Sequence, residues 1–235
     1  METQPTYDLY WSFRSPYSYL ALPRVQALAA KKNIHCQVRI VYPLAVRYPE
    51  HFRRQRENPQ ARPYFLADCE RVADFLGMPF RRPVPDPIVQ DPVTLEVAKE
   101  QPHIFGLSRM GIAAGRRGRA LPFITEVSRV LWDGSVDGWN EGDHLAQAAR
   151  RAGLDLAELR QAVAEDPEGH DAEIQANQQA QHAAGHWGVP LFVYGGQPFF
   201  GQDRFDHLVW HIERDLGAGR PDPGAKAVPA REPAG

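Results

Sequence analysis

Two serines near the N-terminus have the spacing and setting of an anion-binding corner. Ser15 and Ser18 follow an aromatic, partly alternating run at residues 7–13 that predicts a strand. Ser15 is a favourable N-cap and Pro16 suits the first helical position, so a helix should begin here. The N-terminus of a helix favours anions, and a hydroxyl that donates to a bound thiolate lowers the pKa of that thiol. Ser15 is therefore a candidate for holding an external thiolate; the alternative is that it only caps the helix.

Two segments near the other end of the chain carry further candidate binding groups. Val189 precedes Pro190, and a cis peptide bond there would leave the backbone of Val189 free to pair with an extended, peptide-like ligand. Gly201, Gln202 and Asp203 stand at a predicted helix start, where backbone N–H groups suit a carboxylate. The Asp203 carboxylate can also accept from an ammonium group. The alternatives are an ordinary trans proline and simple helix capping.

The candidate residues are positioned by two small units, one at each end of the chain. The front unit is a strand, a helix and a strand at residues 7–13, 16–32 and 37–42. The back unit is a hairpin and a helix, with strands at 191–194 and around 198–199 and the helix between 201 and 216. Between the two units, amphipathic patterns and capping residues predict helices at 61–76, 93–115, 120–132, 142–153, 155–165 and 166–186.

This layout predicts an α/β fold, namely a thioredoxin-like domain (βαβ…ββα) interrupted by a large helical insertion. The thioredoxin-like domain would comprise residues 1–43 and 187–216, and the insertion residues 44–186. Residues 217–235 are rich in Pro, Gly and Ala and predict a disordered tail. In thioredoxin-like redox proteins the first corner carries Cys-x-x-Cys. Here Ser15 and Ser18 replace both sulfurs, so this site cannot perform dithiol exchange.

The order of these motifs resembles the 2-hydroxychromene-2-carboxylate isomerase family, a relative of kappa-class glutathione transferases and DsbA-type oxidoreductases. The resemblance rests on Ser-Pro-Tyr-Ser-Tyr-Leu at 15–20, Gly-Val-Pro at 188–190 and Phe-Gly-Gln-Asp-Arg at 200–204. It covers residues 7–216 and implies that glutathione is the cofactor. It also implies that Ser15 contacts the glutathione sulfur and that Val189, before a cis Pro190, pairs with the cysteinyl backbone.

The resemblance further implies where the two ends of glutathione bind. Gln202 and Asp203 would hold the γ-glutamyl end, and Asn58 and Arg62 of the insertion come near the positions that bind the glycyl carboxylate. The implied activity is a glutathione-dependent cis-trans isomerisation of an aromatic-degradation intermediate, with the thiolate stabilised by Ser15. The substrate would carry a carboxylate, which favours an arginine as its partner. The candidates are Arg47, Arg62, Arg81 and Arg82.

Three other functions are compatible with these residues to different degrees. A kappa-like glutathione transferase or peroxidase would use the same Ser15 and the same thiol with a different acceptor pocket. A DsbA-type oxidoreductase is disfavoured because positions 15 and 18 lack cysteine. A non-catalytic thioredoxin-fold binding protein stays open, since a fold does not determine a function. Glutathione binding separates this last alternative from the two enzymes, and substrate screening separates the enzymes from each other.

The composition narrows the cellular setting and the class of partner. The formal net charge of −2 over 235 residues gives no footprint for nucleic acid or an anionic membrane. There are two cysteines, far apart, and nine histidines without metal-ligand spacing, so we expect neither a disulfide scaffold nor a metal site. No signal peptide or membrane-spanning run is visible. We therefore expect a cytoplasmic protein that acts on a small aromatic or enone carboxylate, and relatives of this type commonly form homodimers.

Overall fold

A four-stranded mixed sheet is built from the two ends of the chain. The computed structural model describes residues 4–31, 34–50 and 58–217, so the predicted tail lies, from residue 218 onward, outside the described residues. The strand order is β2-β1-β3-β4. β1 pairs in parallel with β2 and antiparallel with β3, and β3 pairs antiparallel with β4. This topology confirms the predicted thioredoxin-like fold. The strands are β1 (Thr6–Trp11), β2 (His35–Ile40), β3 (Leu191–Tyr194) and β4 (Gln197–Phe200).

The helices occupy the crossover after β1, the long segment between β2 and β3, and the end of the described chain. The first and last are α1 (Pro16–Ala29) and α9 (Phe205–Asp215), and a 3₁₀ turn at Gln202–Arg204 precedes α9. Among the described residues, none of the helices combines the length and the apolar character needed to cross a membrane. The intervening helices are α2 (Leu44–Arg47), α3 (Ala61–Leu76), α4 (Ile104–Arg116), α5 (Ala120–Trp132), α6 (His144–Arg151), α7 (Leu156–Glu165) and α8 (Pro167–Ala183).

The predicted insertion and the thioredoxin-like part share one hydrophobic core. The rings of Phe13 and Phe123 meet edge to face with centroids 6.1 Å apart. Gly111 brings α4 so close to the sheet that a Cβ there would lie 3.0 Å from Cγ1 of Ile40. The indole of Trp132 donates to the carbonyl of Phe13 at 2.9 Å. Helices α4 and α5 are therefore attached directly to the end of β1, where the first corner begins.

Several predicted boundaries are wrong, and the largest error concerns the start of α4. Helices α1 and α8 end three residues before their predicted ends, and strand β2 lies two residues earlier than predicted. The helix expected at 93–115 begins only at Ile104. Ahead of it, the buried side chain of Gln101 accepts from the N–H of Val89 at 2.8 Å and donates to the Val89 carbonyl at 3.0 Å. This amide satisfies backbone groups that an irregular segment would otherwise leave unpaired. The tertiary contact, together with Pro102 just before α4, outweighs the helical pattern of the preceding residues.

Candidate functional site

A cavity of about 360 Å³ lies where the first corner meets the insertion. Ser15 at the start of α1 forms one side, and Val189 and Phe200 form another. We call residues 186–189 the pre-proline loop. Helix α3 contributes Arg62, and the extended segment between α3 and α4 contributes Arg82. The cavity thus joins the candidate thiol-binding corner to side chains that only the insertion can supply.

Ser15 both caps α1 and faces the cavity. Its backbone is extended (φ −95°, ψ 113°), and its Oγ accepts from the N–H of Ser18 at 3.2 Å. The same hydroxyl donates to the carbonyl oxygen of Val189 at 3.3 Å, beyond the common range for O–H···O bonds. The hydroxyl therefore lies at the positive end of a helix and makes only a long bond to the pre-proline loop. An anionic ligand in the cavity could accept that proton instead.

The second serine of the motif has no such access. Ser18 is fully buried, and among the described residues its Oγ finds no hydrogen-bond partner. It lies inside α1 and does not line the cavity. Of the two serines, only Ser15 is positioned to meet a ligand.

The pre-proline loop is held in a single geometry by hydrogen bonds on both sides of Gly188. The Val189-Pro190 peptide bond is cis, as the family resemblance implied. The N–H of Gly188 donates to Nδ1 of His186 at 2.9 Å, and its carbonyl accepts from Nε2 of Gln181 at 2.6 Å. The N–H of Val189 makes no hydrogen bond to any residue that the structure describes. This N–H is the backbone group expected to meet an extended ligand.

Two arginines share one carboxylate at the cavity wall. Arg14 binds Asp86 with both ends of its guanidinium, at 2.8 and 3.0 Å, and donates to Gln90 at 2.9 Å. Arg82 donates to the same carboxylate at 3.3 Å. Burial, followed by the nearby charges of Arg14 and Arg62, lowers the pKa of Arg82, while Asp86 opposes this effect. Arg14 is thus firmly paired, whereas the hydrogen bond of the Arg82 side chain among the described residues is a long one, to a carboxylate already bound by Arg14.

Arg62 adds a third cation to the cavity. Its guanidinium donates to the carbonyl of Pro92 at 2.8 Å, a neutral partner. Among the described residues that line the cavity there are three guanidinium groups and one carboxylate, that of Asp86. This excess of positive charge favours a ligand that carries carboxylates.

The other two candidate arginines lie elsewhere. Arg81 donates to Asp137 at 2.7 Å and to the carbonyl of Val136 at 3.1 Å, outside the cavity. Arg47 donates to Oε1 of Gln181 and to the carbonyl of Trp187 instead of lining the cavity. Arg14 was not among the candidates predicted from the sequence, although its place directly before Ser15 was a usable signal.

Four aromatic rings line one wall of the cavity, three from the insertion and one from α1. Phe80 and Trp132 stack with centroids 5.8 Å apart and an interplanar angle of 10°. Tyr17 meets Phe65 edge to face at 5.5 Å. All four rings line the cavity, so it offers flat apolar surface next to its cations. A planar ligand with an anionic end matches these two properties.

The protein's own sulfurs are poorly suited to react. Burial raises the pKa of the Cys69 thiol, which lies at the cavity wall, to about 11. Burial likewise raises the pKa of Cys36 to about 12, and the two cysteines are free. The pKa of Tyr17 is raised by burial and by the 2.6 Å hydrogen bond that its hydroxyl donates to Asp68. A thiolate at neutral pH must therefore come from outside the chain.

The residues predicted for the two ends of glutathione are not gathered around Ser15. Gln202 accepts from Arg24, and Asp203 pairs with Arg204 at 2.9 Å. Asp203 lines a separate groove that shares Phe200 with the main cavity. Asn58 accepts from the N–H of Gln60 at 3.2 Å and does not line the cavity. Of these four predicted residues, Arg62 alone borders the cavity that contains Ser15.

Comparison with known families identifies the class of the protein. Residues 6–213 match the DSBA-like thioredoxin domain. This match spans most of the chain, so the protein belongs to the DSBA-like thioredoxin domain family. The membership agrees with the strand order and with the cis proline before β3.

Individual relatives within this family show a more specific similarity. The chain is 28% identical over 212 residues to the 2-hydroxychromene-2-carboxylate isomerase of Sphingobium xenophagum, covering 88% of this chain and 97% of the relative. A solved structure of a 2-hydroxychromene-2-carboxylate isomerase superimposes with a TM-score of 0.68 at 18% identity, over 92% of this chain and 100% of the other. The cytosolic disulfide reductase DsbM from Pseudomonas aeruginosa, solved with glutathione, gives a TM-score of 0.55 at 15% identity, over 88% and 99% of the two chains. The resemblance drawn from the sequence is thus confirmed at the level of family and fold.

Proposed function

We propose that this protein is a glutathione-dependent cis-trans isomerase of the 2-hydroxychromene-2-carboxylate isomerase type. The observation that carries the proposal is the position of the Ser15 hydroxyl. It lies at the N-terminus of α1, 3.3 Å from the carbonyl of Val189, in a cavity with an excess of arginines and an aromatic wall. The isomerase of Sphingobium xenophagum, matched over 97% of its length, supports the same activity.

The cavity offers groups suited to a tripeptide thiol. The Ser15 hydroxyl can donate to a sulfur anion, and the N–H of Val189, which no described residue accepts, can donate to a peptide carbonyl. Arg62 can bind a terminal carboxylate in place of its present contact to the Pro92 carbonyl. Gln202 and Asp203 are proposed to bind the γ-glutamyl end beyond Phe200, which borders both the cavity and the neighbouring groove. Asn58 is proposed as a further polar group near the glycyl end.

Glutathione, when bound, would supply a thiolate that adds reversibly to an enone carbon, so that the former double bond can rotate before the thiolate leaves. Ser15 and the N-terminus of α1 would stabilise the sulfur anion, because both present hydrogen-bond donors or positive charge to it. Arg82 would bind the substrate carboxylate. It would also stabilise the negative charge that develops on the carbonyl oxygen of the enone during the reaction. Phe80 and Trp132 would position the aromatic ring and keep water away from it.

The test is a glutathione titration of the wild type, Ser15→Ala and Ser18→Ala, followed by calorimetry and by the ultraviolet absorbance of the thiolate. The wild type and Ser18→Ala should both bind and ionise glutathione, because the Ser18 hydroxyl is buried and does not line the cavity. Ser15→Ala should lose the thiolate signal. No binding to the wild type at millimolar glutathione would refute the proposal. Binding without any effect of Ser15→Ala would remove Ser15 from the mechanism.

If glutathione binds, substrate screening distinguishes the isomerase from a glutathione transferase. Conjugated enones that carry a carboxylate and an aromatic ring should be isomerised with no net loss of glutathione. Consumption of glutathione with formation of a stable conjugate would instead indicate transferase activity.

A further inference from the structure

The pre-proline loop is attached to the insertion by two polar side chains, one fully buried and one half-buried. Gln181 of α8 is completely buried, and its Nε2 donates to the carbonyl of Gly188 at 2.6 Å. Its other end, Oε1, accepts from Arg47 at 2.9 Å. Arg47, the last residue of the short helix α2, also donates to the carbonyl of Trp187 at 2.7 Å. The two side chains therefore bind consecutive carbonyls of the loop.

Arg47 donates these hydrogen bonds to uncharged oxygens. Burial lowers its pKa to about 10, and its contacts with Gln181 and Trp187 are to an amide and a backbone carbonyl. A half-buried guanidinium that binds neutral groups loses part of its hydration without gaining a carboxylate partner, so it contributes little to stability. Arg47 instead fixes the position of the groups it binds, since a planar guanidinium presents several donors in fixed directions.

The position of the pre-proline loop determines how a ligand bound to Val189 is placed relative to the Ser15 hydroxyl. The carbonyl of Val189, one residue beyond Gly188, is the acceptor of the Ser15 hydroxyl, and the Val189 N–H has no partner among the described residues, so it can meet a ligand. Gly188 itself is packed so tightly that a Cβ there would overlap the Phe200 ring. A small displacement of the loop would move a ligand bound to Val189 relative to Ser15, and such misplacement is costly when donor and acceptor must align.

We propose that Arg47 and Gln181 are positioning residues that hold the pre-proline loop, so that a thiol bound along Val189 meets the Ser15 hydroxyl. This inference rests on the proposed function and extends it: residues of the insertion, outside the cavity, set how strongly the corner stabilises the thiolate. It also gives Arg47 a role different from the substrate contact expected from the sequence.

The test uses Gln181→Glu, which keeps an acceptor for Arg47 but removes the amide that donates to the loop. The matched control is Gln178→Glu, the same substitution one turn earlier on α8. Gln178 accepts from the N–H of Tyr42 at 3.1 Å through an oxygen that glutamate retains, and the loop is not involved. A second loop variant, Arg47→Lys, preserves the charge but loses the planar pair of donors. Glutathione affinity by calorimetry and the pKa of the bound thiol by ultraviolet titration are measured for each.

We expect Gln181→Glu and Arg47→Lys to weaken glutathione binding about five- to tenfold, the effect of one hydrogen bond, and to raise the pKa of the bound thiol. Gln178→Glu should stay within twofold of the wild type. In a Ser15→Ala background, Gln181→Glu should no longer change the thiol pKa, because the hydroxyl on which the loop acts is gone. A merely structural role would not produce this dependence on Ser15.

Three results would overturn the inference. The first is wild-type glutathione affinity in both Gln181→Glu and Arg47→Lys. The second is a change in thiol pKa that is the same with and without the Ser15 hydroxyl. The third is a wild type that does not bind glutathione. This result would also refute the proposed function, whereas the first two results would not. If Gln181→Glu does not fold, the same criteria are applied to Arg47→Lys alone.

Discussion

Replacing Ser15 by aspartate separates two roles of this side chain: the cap of α1, which is observed, and the hydrogen bond to a thiolate, which is proposed. Aspartate is as good an N-cap as serine, so the bond to the Ser18 N–H, 3.2 Å long in the wild type, should be kept. An aspartate cannot donate a hydrogen bond when ionised, and it places a negative charge where the thiolate would lie. Ser15→Asp should therefore fold with wild-type stability while it fails to stabilise the thiolate.

The magnitudes follow from the contacts. Ser15→Ala removes the cap and should lower the free energy of unfolding by about 1 kcal/mol, whereas Ser15→Asp should leave it unchanged. A hydrogen bond to a charged group contributes about 1.5–3 kcal/mol. Because one pKa unit corresponds to about 1.36 kcal/mol, loss of that bond should raise the pKa of the bound thiol by about one to two in Ser15→Ala. In Ser15→Asp the rise should be at least as large, because the carboxylate also repels the thiolate.

The assay combines urea unfolding, followed by circular dichroism, with an ultraviolet pH titration of glutathione in the presence of each variant. Ser18→Ala provides the matched control for removal of a hydroxyl from the same motif. If Ser15→Asp lowered the thiol pKa as far as the wild type does, the serine hydroxyl would not be the donor. The N-terminus of α1 alone would then account for the effect.

Three further predictions concern the cavity, the core and the response to acid. Arg82→Met should raise the KM for a carboxylate substrate about tenfold or more through loss of a charge-assisted bond, while Arg81→Met, outside the cavity, should leave it unchanged in steady-state kinetics. Gly111→Ala should destabilise the fold by about 1–3 kcal/mol in urea unfolding, because its Cβ would crowd the sheet. The hydrogen bond from Arg109 lowers the pKa of Asp171 in the folded protein. The stability that this ion pair contributes is therefore present above the pKa that Asp171 has in the unfolded chain, and it is lost as the pH falls through the lower pKa of the folded protein. Asp171→Asn should therefore flatten the loss of stability below about pH 4.

Each of these predictions has a contrary outcome. Equal KM values for Arg82→Met and Arg81→Met would show that the substrate carboxylate binds elsewhere. An unchanged unfolding midpoint for Gly111→Ala would mean that α4 can move away from the sheet at no cost. An acid-unfolding profile of Asp171→Asn parallel to that of the wild type would show that this ion pair does not contribute to the pH dependence.

Local sequence patterns were sufficient to predict the framework of the fold. The helices expected at 61–76 and 120–132 have those bounds in the structure, because their apolar stripes pack on the core. The start of α4 could not be predicted, since it depends on the distant partners of Gln101. Turn glycines predicted the β3–β4 hairpin correctly, because only local geometry is involved there.

The composition of the cavity was only partly predictable. Ser15 and Val189 could be identified because their motifs lie on a known type of corner. The orientation of Arg47 away from the cavity depends on where α8 places Gln181, and the inclusion of Phe80 and Trp132 depends on how the insertion packs. These contacts join residues far apart in the chain, and no local periodicity encodes them.

The protonated state of both cysteines has a consequence for chemical sensitivity. Alkylating reagents attack thiolates, and the raised pKa values of Cys36 and Cys69 keep these side chains protonated at neutral pH. On the proposed function, in which the thiol comes from glutathione, the protein should withstand such a reagent and respond fully once the excess is removed and fresh glutathione is added. Its activity should then follow the concentration of reduced glutathione, since Ser15, unlike the cysteines of a dithiol site, cannot be oxidised to a disulfide.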